Sequence, residues 1–193
     1  MTDETMLILG RWVGILGLGL LIISGIGGTL LASRTAQKLK FLKGRTFEYH
    51  RILSLIGAAL FLFHPVPMIF ATETSGMTLR NTFIPFTAPK QTLLIGLGTL
   101  AAYVLAVVTL SSIYIKKLKR STWRTLHYGT YLLFVLGLVH GLFISGEFKE
   151  GELFEFDEPE KILLLVMTVM TLAFPVWRVR VAREKNAETS KAP

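Results

Sequence analysis

Cysteine is absent from the 193 residues of this chain. Its absence excludes disulfide bridges, iron–sulfur clusters held by thiolates, and haem attached covalently through a C-x-x-C-H motif. Histidine is also scarce, with four residues in the whole sequence. Acidic residues number 13 against 21 lysines and arginines, and they are rare within the apolar runs. Because ionisable groups are costly in apolar segments, the few that occur there are candidates for function.

Long apolar runs dominate the rest of the sequence. Hydrophobic residues make up 51% of the chain, and the mean hydropathy is +0.53. Several runs reach the roughly 20 apolar residues that a helix needs to cross a bilayer. The sequence therefore predicts an all-α integral membrane protein, a bundle of five transmembrane helices in a single domain of residues 1–193. The predicted spans are residues 7–32, 47–70, 91–115, 123–144 and 162–177.

Basic residues cluster in short segments that flank these spans. They are frequent in the first and third connectors and in the C-terminal tail, and few at the N-terminus and in the second and fourth connectors. The positive-inside rule then places the N-terminus outside and the C-terminus inside. This pattern reflects membrane topology, so the net charge of +8 predicts no nucleic-acid partner. We expect a multi-pass protein of the inner or plasma membrane, in contact with lipid, whose first span is not a signal peptide.

The four histidines form two pairs on two predicted spans. His50 and His64 are fourteen residues apart on the second span, and His127 and His140 are thirteen apart on the fourth. These spans run parallel in the predicted topology. The spacings correspond to about 21 and 20 Å along a helix axis, so the histidines match in depth across the two helices. His50 and His127 are predicted near the inner face, and His64 and His140 near the outer face.

An imidazole from each of two facing helices is a common way to hold a b-type haem in a bundle. The sequence therefore predicts two haem b groups, one between His50 and His127 and one between His64 and His140. Such bis-histidine iron carries single electrons and has no open position for substrate. On an ideal helix, thirteen residues fall about 140° short of whole turns. We expect helix tilt, differing rotamers, or local overwinding near Gly129 or Gly137 to correct the direction of the second pair.

Other residues are candidates for the surroundings of these haems. Phe134 lies midway between the histidines of the fourth span and is a candidate bridge, and Gly57 on the second span is expected to leave room for a macrocycle. Haem propionates need cations or hydrogen-bond donors at the membrane edge. The candidate arginines are Arg45, Arg51 and Arg124 for the inner haem and Arg11 and Arg80 for the outer one.

The histidine-bearing segments resemble the ferric reductase-like transmembrane domain of NADPH oxidases, ferric reductases and the haem subunit of bacterial methionine-sulfoxide reductase systems. The motifs are H-x13-H in YHRILSLIGAALFLFH and H-x12-H in WRTLHYGTYLLFVLGLVH, and the resemblance covers roughly residues 10–180. It implies that His50, His64, His127 and His140 are haem ligands. Full-length members usually have six spans and often continue into a flavin and NADPH domain. We expect five spans here and no such domain, because few residues follow the fifth predicted span.

Three functions stay open on the sequence. The first is an oxidoreductase component that passes electrons from a separate cytoplasmic reductase or other donor to an acceptor at the outer face. That acceptor could be ferric iron, oxygen, quinone or a partner protein. The second is a haem-bearing membrane anchor for a larger oxidoreductase complex. The third is a metal-ion transporter that uses histidines as relay ligands, although such a transporter would need carboxylates beside them and Glu48 alone is close.

Overall fold

The structure, a computed structural model, describes residues 2–32, 45–144 and 159–189. Within these ranges the chain is helical and contains no strand. The sequence has an acidic segment from residue 147 to residue 160. Residues 147–158 of it lie outside the described residues, as does the first basic connector apart from Arg45. The helices are α1 (Asp3–Ala32), α2 (Thr46–Phe63), α3 (Pro65–Phe70), α4 (Thr72–Ser75), α5 (Leu79–Phe83), α6 (Thr92–Ile113), α7 (Arg120–His127), α8 (Gly129–Phe143) and α9 (Pro159–Thr189).

Four helical segments in the described ranges are long and apolar enough to cross a membrane. They coincide closely with the first four predicted spans, which confirms the all-helical, multi-pass architecture. The predicted fifth span, residues 162–177, lies within α9. The count of five spans and their orientation stay predictions. The four segments are Asp3–Leu31, Thr46–Phe70, Thr92–Ile113 and Arg120–Phe143.

Glycines allow α1 and α2 to pack closely along each other. A Cβ atom on Gly17 would lie 2.6 Å from the backbone nitrogen of Phe61, and one on Gly57 would lie 3.0 Å from the carbonyl oxygen of Gly17. The expectation that Gly57 leaves room for a macrocycle is therefore wrong. The backbone of α1 already occupies the space beside it.

The core lies where α1, α2, α6, α8 and α9 meet. Large apolar side chains also cover the outside of the bundle; Leu16 is 56% exposed and Leu132 is 52% exposed. Helices that are apolar on all sides suit a protein surrounded by lipid. The buried core residues are Ile15, Leu18, Leu21, Ile22, Ala58, Phe61, Ala101, Leu105, Leu133, Phe134, Leu138, Leu142 and Leu164.

Both histidine-bearing spans are interrupted beside a histidine. α2 ends just before His64, and α3 begins at Pro65; α7 ends at His127, and α8 begins at Gly129. At the second break, the N–H of Tyr131 donates to the carbonyl of Tyr128 at 3.1 Å. A bond between residues three apart winds the chain more tightly than an α-helix. This break lies at Gly129, one of the two glycines where overwinding was considered, and tighter winding acts in the direction that the second pair needs.

The connector of residues 71–91 folds over the end of the bundle that contains His64. The N–H of Thr74 donates to the Asp3 carboxylate at 3.1 Å, and Lys90 Nζ donates to the carbonyl of Thr74 at 2.7 Å. Thr78 and Asn81 cap α5 reciprocally, which satisfies amides that a short helix would leave without acceptors. The connector thereby supplies one wall of the site described next.

Candidate functional site

The four histidines lie in two close pairs, which we call the inner pair (His50 and His127) and the outer pair (His64 and His140) after the predicted topology. The ring centroids are 6.1 Å apart in the inner pair and 6.2 Å apart in the outer pair. Two imidazoles bound to opposite sides of one metal ion have centroids about 6 Å apart, because each metal–nitrogen bond is about 2 Å long. Both pairs therefore have the separation that a shared metal ion requires.

Backbone carbonyls anchor the outer pair. Nδ1 of His64 donates to the carbonyl of Phe61, which lacks its usual helical donor because Pro65 has no N–H. Nδ1 of His140 donates to the carbonyl of Leu94 on α6 at 2.8 Å. Since a carbonyl can only accept, Nδ1 carries the proton in both rings, and Nε2 has the lone pair that a metal ion can bind.

Serines hold the inner pair. Nδ1 of His50 lies 2.9 Å from the carbonyl oxygen of Ser24 and 2.8 Å from its hydroxyl oxygen. The hydroxyl of Ser54 lies 2.6 Å from that of Ser24 and donates to the carbonyl of His50 at 2.7 Å. Nδ1 of His127 lies 3.4 Å from the hydroxyl oxygen of Ser112 on α6. The inner rings thus have hydroxyl groups as neighbours in addition to the backbone carbonyl of Ser24.

Trp123 is a second support for His127. The two rings stack with centroids 5.0 Å apart and planes at 29°. They lie four residues apart on α7, where side chains share a face. The indole Nε1 also lies 3.5 Å from the hydroxyl oxygen of Ser112. These contacts limit rotation of the His127 ring.

Three of the four rings rest against a glycine of a neighbouring helix. Any side chain at these glycines would push the ring aside, because Cβ contacts shorter than 3.4 Å are tight. A Cβ atom on Gly28 would lie 3.2 Å from the His50 ring, and one on Gly14 would lie 3.2 Å from the His64 ring. A Cβ atom on Gly98 would lie 2.8 Å from Nδ1 of His140.

In two cases the glycine also opens the way to the accepting carbonyl. Gly28 lies four residues after Ser24, and Gly98 lies four residues after Leu94. Four residues are about one helical turn, so the glycine lies directly above the carbonyl on the same face. Without a Cβ atom at that position, the imidazole can approach closely enough to donate its Nδ1 proton.

A cavity of about 390 Å³ lies beside the outer pair, and both His64 and His140 line it. Its walls are largely apolar and come from the long helices together with α3 and α5. Arg11, Glu160 and Lys161 also line it, and Arg11 Nη1 forms a 3.1 Å ion pair with the Glu160 carboxylate. This volume is within the range of about 300–1,000 Å³ that is usual for small-molecule and cofactor sites.

The sequence of residues 9–138 matches the family of the ferric reductase like transmembrane component. The chain belongs to this family. The matched region contains His50, His64 and His127 and ends two residues before His140. Membership indicates a role in membrane electron transfer and agrees with the apolar, multi-pass architecture. Comparisons with curated proteins and with solved structures find no match.

The arginines predicted to contact haem propionates in this ferric reductase-like protein lie in different surroundings. Arg11 lines the outer cavity. Arg124 is exposed, and its guanidinium donates to the hydroxyl of Tyr128 at 3.3 Å. Their roles toward propionates stay predictions. The other predicted arginines, all exposed, are Arg45, Arg51 and Arg80.

Two phenylalanines lie in the core near the histidines. Phe134, the predicted bridge, is buried, and a Cβ atom on Gly25 would lie 3.1 Å from its ring. Phe61 was not predicted: its ring centroid is 5.3 Å from that of His64, and it is 3% exposed. The sequence does contain a signal for Phe61, because this aromatic residue lies one helical turn before His64, which itself precedes Pro65.

Each histidine pair offers two protein ligands. Within the part of the chain that the structure describes, no group of three or more His, Cys, Asp or Glu side chains could hold a metal ion, and no hydrogen bond engages Nε2 of these four histidines. A metal ion held by two histidines needs further ligands from elsewhere, and a porphyrin supplies four nitrogens. The pairs therefore fit haem iron better than a metal ion bound by protein alone.

Proposed function

We propose that this protein is a dihaem b-type transmembrane electron-transfer protein. It passes electrons from a cytoplasmic donor through two bis-histidine haems to an acceptor at the outer face. One observation carries the proposal: two membrane spans bring their histidines together twice, with ring centroids 6.1 and 6.2 Å apart. Iron held by two of these histidines would supply single-electron transfer without binding substrate.

The contribution of the chain is to hold four imidazoles in fixed orientations. Hydrogen bonds from Nδ1 to Ser24, Phe61 and Leu94 set which ring nitrogen faces the metal ion. Such outer contacts also raise the basicity of the ligand and tune the metal centre. The buried aromatic rings of Phe61 and Phe134 lie in the same apolar core.

Charge distribution supports the direction of transfer. The segment that joins α6 to α7 carries exposed cations and leads directly into the helix of His127. By the positive-inside rule, this end faces the cytoplasm. The donor is then a separate cytoplasmic reductase or another carrier, and the acceptor is ferric iron, oxygen, quinone or a partner protein. The exposed cations of this segment are Lys116, Lys117, Lys119 and Arg120.

Electron transfer across vesicles tests this function. The purified protein would be incorporated with haem into lipid vesicles that contain trapped ferricyanide, and dithionite would be added outside. We expect the trapped ferricyanide to be reduced much faster than in vesicles without protein, because the two centres shorten each step across the insulating bilayer. The readout is the loss of ferricyanide absorbance with time.

Two variants serve as matched controls. His140→Ala removes an outer ligand, and His50→Ala removes an inner ligand, so each should bring the rate close to that of protein-free vesicles. A wild-type rate no higher than the protein-free rate would contradict the proposal. It would favour a haem-bearing anchor if haem is present, or a metal-ion transporter if haem is absent.

A further inference from the structure

The first turn of α9 places two charged side chains in the protein interior. Glu160 is 9% exposed and Lys161 is 4% exposed. Charged residues are almost never buried to this extent unless they are paired. Their partners lie on two different helices beside the outer histidine pair.

Lys161 contacts the end of the helix that carries His140. Its Nζ donates to the carbonyls of Leu142 at 3.0 Å, Gly141 at 3.3 Å and Ile144. The last carbonyls of a helix have no donor within the helix, and they form the negative end of its dipole. An ammonium group with three N–H donors satisfies several of them at once. Lys161 thereby fixes the turn that directly follows His140.

Glu160 contacts the helix behind His64. Its carboxylate pairs with Arg11 Nη1 at 3.1 Å, and Arg11 lies on α1 between Gly10 and Gly14. A Cβ atom on Gly10 would lie 3.0 Å from the carbonyl oxygen of His64, and Gly14 supports the His64 ring. The ion pair therefore fixes the segment of α1 against which His64 packs.

We propose that the first turn of α9 is a brace for the outer site, in which Lys161 is a positioning residue for His140 and Glu160 holds α1 behind His64. All three charged side chains line the same cavity as the two histidines. The brace rests on the proposed function, because it sets the geometry of the outer haem ligands. The inner pair takes its supports from Ser24 and Ser112 instead.

Lys161→Met tests the brace, because methionine has similar length but neither charge nor N–H donors. The wild type and variants would be purified with haem, and each would be titrated potentiometrically while its low-spin iron signals are recorded by electron paramagnetic resonance. We expect the outer component to shift to lower potential, since a nearby positive charge is lost, and its resonance signal to change as the His140 ring reorients. The inner component should be unchanged.

Two comparison variants separate positioning from general disruption. Lys161→Arg keeps the charge and donors and should restore much of the outer signal, and Lys119→Met, at an exposed position, should match the wild type. If the outer component of Lys161→Met coincides with that of the wild type, the brace is wrong and the proposed function is unaffected.

A second substitution covers the case in which Lys161→Met loses both components through misfolding. Glu160→Gln keeps the size of the side chain and removes its charge. A change confined to the outer component would support the brace, and an outer component identical to the wild type would overturn it. A wild-type protein without two haem components would overturn the proposed function, and the brace with it.

Discussion

The inner and outer histidine pairs have nearly the same ring separation but different supports. The outer rings donate to the backbone carbonyls of Phe61 and Leu94 and line an apolar cavity. The inner pair combines both kinds of support: His50 contacts the backbone carbonyl and the hydroxyl of Ser24, and His127 contacts the hydroxyl of Ser112 and stacks on Trp123. The outer pair is therefore oriented by the backbone, and the inner pair by the backbone together with side chains.

This difference has consequences for how the two sites respond to change. A carbonyl acceptor is fixed by the helix and can be disturbed only by moving the helix or the ring. A hydroxyl group can rotate, donate or accept, and a single substitution removes it. We therefore expect the outer site to be sensitive mainly to packing, and the inner site to be sensitive also to the loss of hydroxyl groups.

Removal of a ligand should give the largest effect and should separate the two sites. His64→Ala or His140→Ala should reduce the haem content from about two to about one per chain, because iron loses one of its two axial ligands at one site only. His50→Ala or His127→Ala should give the complementary loss. Haem quantification together with redox titration identifies which component remains. Retention of both components in any of the four variants would contradict the ligand assignment.

A methyl group at a supporting glycine should give the next largest effect. Gly98→Ala places a Cβ atom 2.8 Å from Nδ1 of His140, whereas Gly28→Ala places one 3.2 Å from the His50 ring. We expect Gly98→Ala to lose most of the outer haem, and Gly28→Ala to lower occupancy of the inner haem less. Gly27→Ala is the matched control, since among the described residues no atom beyond the backbone of its own helix lies within 4 Å of its Cβ position.

Measuring the haem content per chain in the three glycine variants tests this predicted order of haem loss. Alanine is favoured over glycine in a helix by about 1 kcal/mol, so Gly27→Ala should be as stable as the wild type or slightly more stable. Equal haem loss in Gly98→Ala and Gly27→Ala would show that close packing beside the ring is not what matters.

Loss of a hydroxyl support should give the smallest effect. Ser112→Ala removes the hydroxyl near Nδ1 of His127, and we expect the midpoint potential of the inner haem to rise because the ligand becomes less basic. A single hydrogen bond contributes about 1 kcal/mol, so the change should be less than about tenfold in the reduction equilibrium constant. Redox titration measures this shift, with exposed Ser121→Ala as the control. A shift confined to the outer component would contradict the pairing of Ser112 with His127.

Composition was sufficient to predict four apolar helical segments long enough to cross a bilayer. Histidine spacing predicted which histidines lie next to each other, because residues at matching heights on two helices can meet. The family resemblance was also predicted and is confirmed. The interruption at Tyr128 was not placed by the sequence alone. A regular period cannot show where a helix changes its geometry.

The supports of the histidines were missed because they come from other helices. Gly14 and Gly28 are fourteen residues apart on α1, the same spacing as His50 and His64 on α2. Because these two helices pack along each other, that shared spacing is a signal that could have identified both glycines.

The sequence contains no comparably strong signal for the positions of two other buried residues, Lys161 and Gly57. Lys161 directly precedes the predicted fifth span, and nothing in the sequence indicates that it contacts carbonyls about twenty residues earlier in the chain. Gly57 was expected to lie beside a haem macrocycle, whereas it packs against α1. The sequence does not show which face of α2 meets α1. Contacts between distant segments depend on helix rotation, which composition does not determine.

The reduced-minus-oxidised absorption spectrum of the purified wild-type protein, with haem quantified per chain, tests the central claim most directly. Two bis-histidine sites predict a low-spin b-type spectrum and about two haems per chain. A result of one haem per chain would mean that either the inner or the outer pair does not bind haem. A protein without haem, produced with sufficient haem supply, would contradict the account of both pairs.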